Sequence, residues 1–208
     1  MPQDISRYKS DTKATISVGS NVALGMTGPA ELALAGIAAL DGDETRVVAA
    51  SRLFATPCVP AGAGPDYINA VVSVSTTLGA GELLSFLHQI EGRFERRREK
   101  RWGARTLDLD LLDFGGVVLP DPDVWQSWHD LPFDRQTQAA PDRLILPHPR
   151  IQDRAFVLIP LCDIAPEWRH PVLDMSAQQM CRDLTEADRS GIVPLESAES
   201  LALFAKGR

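Results

Sequence analysis

Thr106, Leu107, Asp108, Leu109, Asp110 and Leu111 alternate polar and apolar residues without a break. A period of two over that length specifies a β-strand with one buried face. Leu107, Leu109 and Leu111 share the face turned to a core. Asp108 and Asp110 share the other, about 7 Å apart at their Cα atoms. Neighbouring carboxylates repel, and a divalent cation is the usual way of offsetting that repulsion. Alone, such an Asp pair more often marks a solvated strand face than a metal site. The approach to the strand is basic: Arg93, Arg96, Arg97, Arg98, Lys100, Arg101 and Arg105 crowd thirteen residues of a chain whose net charge is −7. These cations either pair with Glu91, Glu95 and Glu99 at helical spacing or draw in a small anionic molecule.

The segments before this strand have their own periods. Ala14 to Val18 is expected to be a strand running into the turn-like Gly19-Ser20-Asn21, and Pro29 suits the first position of a helix ending near Leu40. Thr45 to Phe54 and Tyr67 to Thr76 read as two further strands, the second placing Tyr67, Asn69, Val71 and Ser73 on one face. Glu82 to Glu95 is amphipathic, with Leu83, Leu87, Ile90 and Phe94 on one stripe. The order β-α-β-β-α-β is that of an α+β ferredoxin-like sandwich, an antiparallel sheet with helices packed on its faces. Residues 119 to 142 show no sustained period and read as a long inserted loop with one helical turn. Leu144 to Pro147 is expected to be a short strand, Arg154 to Ala165 a helix kinked at Pro160, and Met175 to Leu184 a last helix before a weakly patterned end.

One domain is expected, residues 14–208, behind a flexible lead-in over 1–13. No apolar run is long enough to span a membrane, and the acidic balance disfavours nucleic acid as a partner. Cys58, Cys162 and Cys181 are scattered and form no CxxC pair, which fits reduced thiols in the cytoplasm and argues against a zinc site.

Arg101-Trp102-Gly103-Ala104-Arg105-Thr106-Leu107-Asp108-Leu109-Asp110 closely resembles the signature of the 6-hydroxymethyl-7,8-dihydropterin pyrophosphokinase family. The likeness runs from about Ile16 to Glu167 and takes in Gly19-Ser20-Asn21, Thr56-Pro57, Pro65 to Ala70, Pro147 to Arg150 and Arg154-Ala155-Phe156. It implies a ferredoxin-like enzyme of folate biosynthesis. Such an enzyme moves the pyrophosphoryl group of ATP to the pterin hydroxymethyl oxygen and releases AMP, with two magnesium ions. By position, Asp108 and Asp110 hold the metals. Tyr67 and Phe156 flank the pterin, while Asn69, Thr56, Pro57 and Val59 complete its pocket. Arg98, Trp102, Arg105, Leu111, Arg143, His148 and Arg154 meet ATP, and Arg96, Arg105 and Arg154 act catalytically on the phosphates. ATP and the dihydropterin are the implied partners, with no nucleic acid or membrane, and a monomer is expected.

The chain departs from the family's habits in places. Glu95 stands where a glycine usually precedes the arginine of the mobile loop, and Ala104 replaces a common proline. Arg150 stands where an acidic residue is frequent, and Asp153 replaces a frequent Asn. The segment 119–142 is longer than usual. Two other functions remain compatible with the residues: a metal-dependent phosphohydrolase, which would break down nucleotide without pterin, and a non-catalytic ligand-binding ferredoxin-like domain.

Overall fold

The computed structural model describes residues 11–58, 64–95, 105–132, 135 and 141–195. Strand β1 (Thr12–Ser20) leads to helix α1 (Pro29–Ala39), strands β2 (Thr45–Ala50), β3 (Phe54–Thr56) and β4 (Tyr67–Thr76), helix α2 (Ala80–Arg93) and strand β5 (Asp108–Phe114). Then come α3 (Pro122–His129), α4 (Ala155–Ile164), α5 (Ala177–Asp183), α6 (Glu186–Arg189) and β6 (Val193–Pro194). Every pairing is antiparallel, in the order β5-β1-β4-β3-β6, and β2 lies beside β3 on the same edge of β4. Counting β2 and β3 as one interrupted strand, this is the expected ferredoxin-like sheet.

Two apolar clusters hold the sheet from opposite sides. On one face Ile16, Val18, Val72, Val74, Leu107, Leu109 and Leu111 meet Ile37 of α1 and Leu83, Leu87 and Ile90 of α2. Gly36 lets α1 approach closely, since a methyl there would stand 2.6 Å from Leu107 Cδ1. On the other face Val71 and Leu112 are covered by Val157, Leu158 and Leu161 of α4 and by Met180 of α5. The second face is therefore apolar toward the α4 end and polar toward the Gly19 end, where the site lies.

Several elements differ from the sequence expectation. β1 begins at Thr12, inside the supposed lead-in, because Thr12 and Lys13 pair with Thr76 and Ser75; residues 1–10 lie outside the described residues. The second strand is broken after Ala50, where Ser51 turns its hydroxyl to accept the Val71 N–H at 2.9 Å. α2 starts two residues early because Glu82 accepts the Gly79 N–H at 2.7 Å, and it stops before Glu95, whose φ is +56°. Leu144 to Pro147 forms a single bridge, Leu119↔Leu146. Pro120 and Pro147 follow the two bridging residues and have no N–H to lengthen the ladder. The segment 119–142 contains a two-turn helix rather than one turn. The Asp121 carboxylate caps α3 by accepting the Val124 N–H at 2.9 Å. Burying its Trp125 completely removes roughly 150–250 Å² of indole from water, worth roughly 4–6 kcal/mol at most.

Candidate active site

Strand register assembles the polar end of the second face. Gly19 of β1 stands opposite Asn69 of β4 on one side and Asp108 of β5 on the other. One pleat further, Ser17 stands between Val71 and Asp110. Neighbouring strands lie about 4.8 Å apart, so Asn69 and Asp108 rise on either side of a residue with no side chain. A methyl at Gly19 would stand 2.9 Å from Asn69 Oδ1 and 3.8 Å from both Asp108 Cβ and the Tyr67 ring. The gap is built in.

Each carboxylate faces an arginine. Arg105 donates to Asp108, and Arg154 approaches Asp110 Oδ2 at 3.7 Å. Burial works against the charge of Arg105, but Asp108 outweighs it, helped by Asp110 and the nearby Tyr67 hydroxyl, and the net shift is upward. Arg154 is held below its ordinary value, chiefly by burial, against the pull of Asp110 and Asp108. Its guanidinium lies over the Phe156 ring, 5.7 Å from the centroid. His148 completes this side. Burial first, and the Arg154 charge second, push its pKa well below 6.5, so the ring is neutral at physiological pH. Its Nδ1 accepts the Arg150 N–H at 3.1 Å, which assigns the ring proton to Nε2. Nε2 and Arg154 Nη1 are 3.5 Å apart, two donors converging where an anionic oxygen would satisfy both.

Hydrogen bonds far apart in sequence fix these positions. Asn21 Oδ1 accepts the Arg105 N–H at 2.8 Å, Asn21 N–H donates to the Arg105 carbonyl at 3.0 Å, and Asn21 Nδ2 donates to Pro65 O at 3.2 Å. Ser20 Oγ donates to Thr106 O at 2.6 Å, and Thr106 Oγ1 donates to Phe94 O at 2.6 Å. The buried Glu91 carboxylate accepts the Leu109 N–H at 2.8 Å, tying α2 to the outer edge of β5. In the sequence Gly19-Ser20-Asn21 reads as a turn and as part of the family likeness, with no bonding role for Ser20 or Asn21, and Glu91 has no role at the site. Their partners lie at least twelve residues away and leave no local period.

The expected pterin residues are placed as follows. Asn69 is buried and its Nδ2 donates to Thr56 Oγ1 at 2.7 Å. Tyr67 is half-buried on the same strand face, and Phe156 is half-buried at the start of α4. Pro57 is exposed and rests on Gly191, where a methyl would meet Pro57 Cγ at 2.7 Å. The Leu111 side chain is 4% exposed and packs into the α1–α2 core, on the face that alternation assigned it and away from the carboxylates. Because Leu109 turns its N–H outward to Glu91, strand alternation puts the main chain of Leu111 on that same edge, the part of it available to a nucleotide. Arg143 is exposed and pairs with its neighbour Asp142 at 3.2 Å, rather than with a residue of the site. Val59, Arg96, Arg98 and Trp102 lie outside the described residues, as does most of the basic stretch.

Among the described residues no group of three or more His, Cys, Asp or Glu side chains gathers to hold a metal. A cation at Asp108 and Asp110 would take its other ligands from water and substrate oxygens. That suits Mg²⁺, which keeps several waters and few protein carboxylates.

Residues 15–166 match the family described as 7,8-dihydro-6-hydroxymethylpterin-pyrophosphokinase. The chain is 36% identical over 166 residues to the 2-amino-4-hydroxy-6-hydroxymethyldihydropteridine pyrophosphokinase of Synechocystis sp., covering 80% of this chain and 69% of that one. With the enzyme of the same name from Pseudomonas aeruginosa the identity is 38% over 157 residues, 75% and 82% of the two chains. With that of Methylorubrum extorquens it is 34% over 191 residues, 89% and 99%. Among solved structures, wild-type Plasmodium falciparum HPPK-DHPS with STZ-DHP aligns with a TM-score of 0.62 at 14% identity. The alignment covers 92% of this chain and 46% of that one, so this chain spans about half the length of that structure. That likeness concerns the fold.

Proposed function

Because the chain belongs to the 6-hydroxymethyl-7,8-dihydropterin pyrophosphokinase family, and so is an ATP-using pyrophosphokinase of folate biosynthesis, we propose that the two sides of Gly19 are the two halves of its substrate site. The observation that carries this is the register that sets Asn69 and Asp108 on one face about a side-chain-free residue. On the Asn69 side, the amide both donates and accepts, as a pterin edge requires, and Tyr67 and Phe156 offer aromatic faces to a flat heterocycle. Thr56 steadies Asn69 from behind, Pro57 completes the wall, and Val59 enters the proposal on the resemblance alone.

On the Asp108 side, the proposal gives Asp108 and Asp110 two magnesium ions. When bound, these supply charge neutralisation on the triphosphate. His148 Nε2–H and Arg154 converge on one anionic oxygen. Arg105 and Arg154 exchange their carboxylate partners for phosphate as the nucleotide arrives. The Leu111 main chain lies on the edge open to the base. Arg96, Arg98, Trp102 and Arg143 enter the proposal on the resemblance alone. The chain's contribution is alignment of the pterin hydroxyl with the β-phosphorus and stabilisation of charge there.

The proposal further includes a single domain from about residue 14, acting as a monomer in the cytoplasm. In its support, β6 joins the same sheet through Phe54↔Pro194, and all three cysteines are free thiols. No helix of the described residues is long and apolar enough to cross a membrane.

The test is incubation with ATP, Mg²⁺ and the dihydropterin alcohol, where AMP and a pterin diphosphate are expected. ADP as product, or nucleotide breakdown without pterin, would overturn it. Asp110→Ala is expected to lower turnover by about 10²–10³-fold or more while pterin affinity stays within a few-fold. Turnover near the parent rate would remove Asp110 from the metal site.

A further inference from the structure

The inserted helix is connected to the phosphate side by a buried contact. Trp125 of α3 is 0% exposed, and its indole Nε1 donates to the Pro147 carbonyl oxygen at 2.7 Å. The N–H of the same peptide group, that of His148, donates to the Leu112 carbonyl of β5 at 2.7 Å. A peptide unit is planar, so bonds to both its oxygen and its nitrogen fix the plane from which the His148 side chain departs. From there Nε2 lies 3.5 Å from Arg154 Nη1, and Arg154 lies 3.7 Å from Asp110.

A second tie runs beside the first. The Arg150 guanidinium donates to the Leu131 carbonyl, just beyond α3, and to Asp153 at 2.9 Å, while the Arg150 N–H holds His148 Nδ1. At its base the insertion is stitched to the same loop by the Leu119–Leu146 bridge, with bonds of 2.8 and 3.1 Å. Arg150, a departure from the family's habit, is thus used by the insertion.

We infer that Trp125 is a positioning residue for nucleotide binding, acting through the Pro147–His148 peptide to aim the His148 imidazole at the place beside Arg154 where an anionic oxygen would lie. The inference rests on the reading of His148 and Arg154 as nucleotide contacts. The insertion is then part of the ATP side, although no residue of α3 need touch ATP.

Trp125→Phe keeps an aromatic ring in the core and removes the donor. The expected result is an ATP KM raised by about 5–10-fold, the scale of one unsatisfied buried carbonyl. The kcat and the pterin KM should stay within about twofold. A merely structural role would lower the melting temperature and the active fraction without moving the ATP KM, and that result overturns the inference. His148→Ala is expected to raise the ATP KM on its own. Trp125→Phe added to it should have little further effect, because residues acting along one path are not additive; additive effects overturn the coupling. An unchanged ATP KM in His148→Ala removes the nucleotide role of His148 itself, and the inference with it. Should Trp125→Phe fail to fold, Arg150→Gln cuts the Leu131 tie and leaves the indole in place. It is expected to raise the ATP KM likewise, and no change there overturns the inference.

Discussion

Gly19 matters for what it leaves out. Its Cα sits between the amide of Asn69 and the carboxylate of Asp108, and Asn69 cannot retreat because its Nδ2 is bonded to Thr56 at 2.7 Å. Gly19→Ala would put a methyl 2.9 Å from Asn69 Oδ1, an overpacking cost of roughly 1–3 kcal/mol at one wall of the site. The expected outcome is a pterin Kd raised by about tenfold or more, alongside that loss of stability, the Kd being read by calorimetry. An unaltered pterin Kd would separate Asn69 from pterin binding. At this scale the sequence was legible wherever a residue's role follows its own strand. Asp108, Asp110, Tyr67 and Asn69 share the face that alternation assigned them. It was not legible for Asn21, whose side chain bonds to Arg105 and Pro65 across 84 and 44 residues. The φ of +56° at Glu95 explains why glycine is the habit there: only a residue without Cβ takes that conformation freely.

At the scale of elements, β4 was readable to both ends because Ile68, Ala70, Val72 and Val74 keep one apolar face throughout, whereas α3 reads as a single turn because its period is carried almost entirely by one tryptophan. What holds α3 is aromatic packing across elements. Trp125 stacks on His129 at 4.9 Å and meets the edge of His170 at 5.3 Å, and Trp168 meets His170 at 5.7 Å. His170 is 0% exposed, and its Nδ1 accepts the N–H groups of Val172 and Leu173 at 3.2 and 3.1 Å. Burial first, and the nearby His129 second, lower its pKa from 6.5 to about 4. The folded state thus refuses a proton that the unfolded state takes up. The stabilisation is complete above pH 6.5 and is lost as pH falls from there through 4, by roughly 3 kcal/mol in all. Urea unfolding between pH 4 and 7 should show this rise in stability with pH. His170→Asn, whose Oδ1 can replace Nδ1 as acceptor, should flatten it. A slope unchanged in that variant would place the titration elsewhere.

Over the whole molecule, the C-terminal segment closes the sheet at the end opposite β5. Phe54 and Ala55 of β3 pair with Pro194 and Val193, the Leu195 N–H donates to Leu53 O at 2.8 Å, and Gly191 lies against Pro57. β3 also carries Thr56, which holds Asn69, so residues 185–195 brace the proposed pterin wall from behind. β5 and the proposed ATP side, by contrast, are braced by Glu91 of α2 and by α3. Two residues of β6 carry no period of their own, and their strand character comes wholly from the edge they join. The two braces predict a division of effects. A chain ending at residue 184 keeps Leu184, a member of the second core cluster, but loses the brace; a chain ending at 195 keeps both. Relative to the latter, the shorter chain is expected to raise the pterin KM by about 3–10-fold, the loss of one or two net hydrogen bonds' worth of wall rigidity, and to leave the ATP KM within about twofold. Equal losses for both substrates would mean that the segment stabilises the domain as a whole rather than its pterin side.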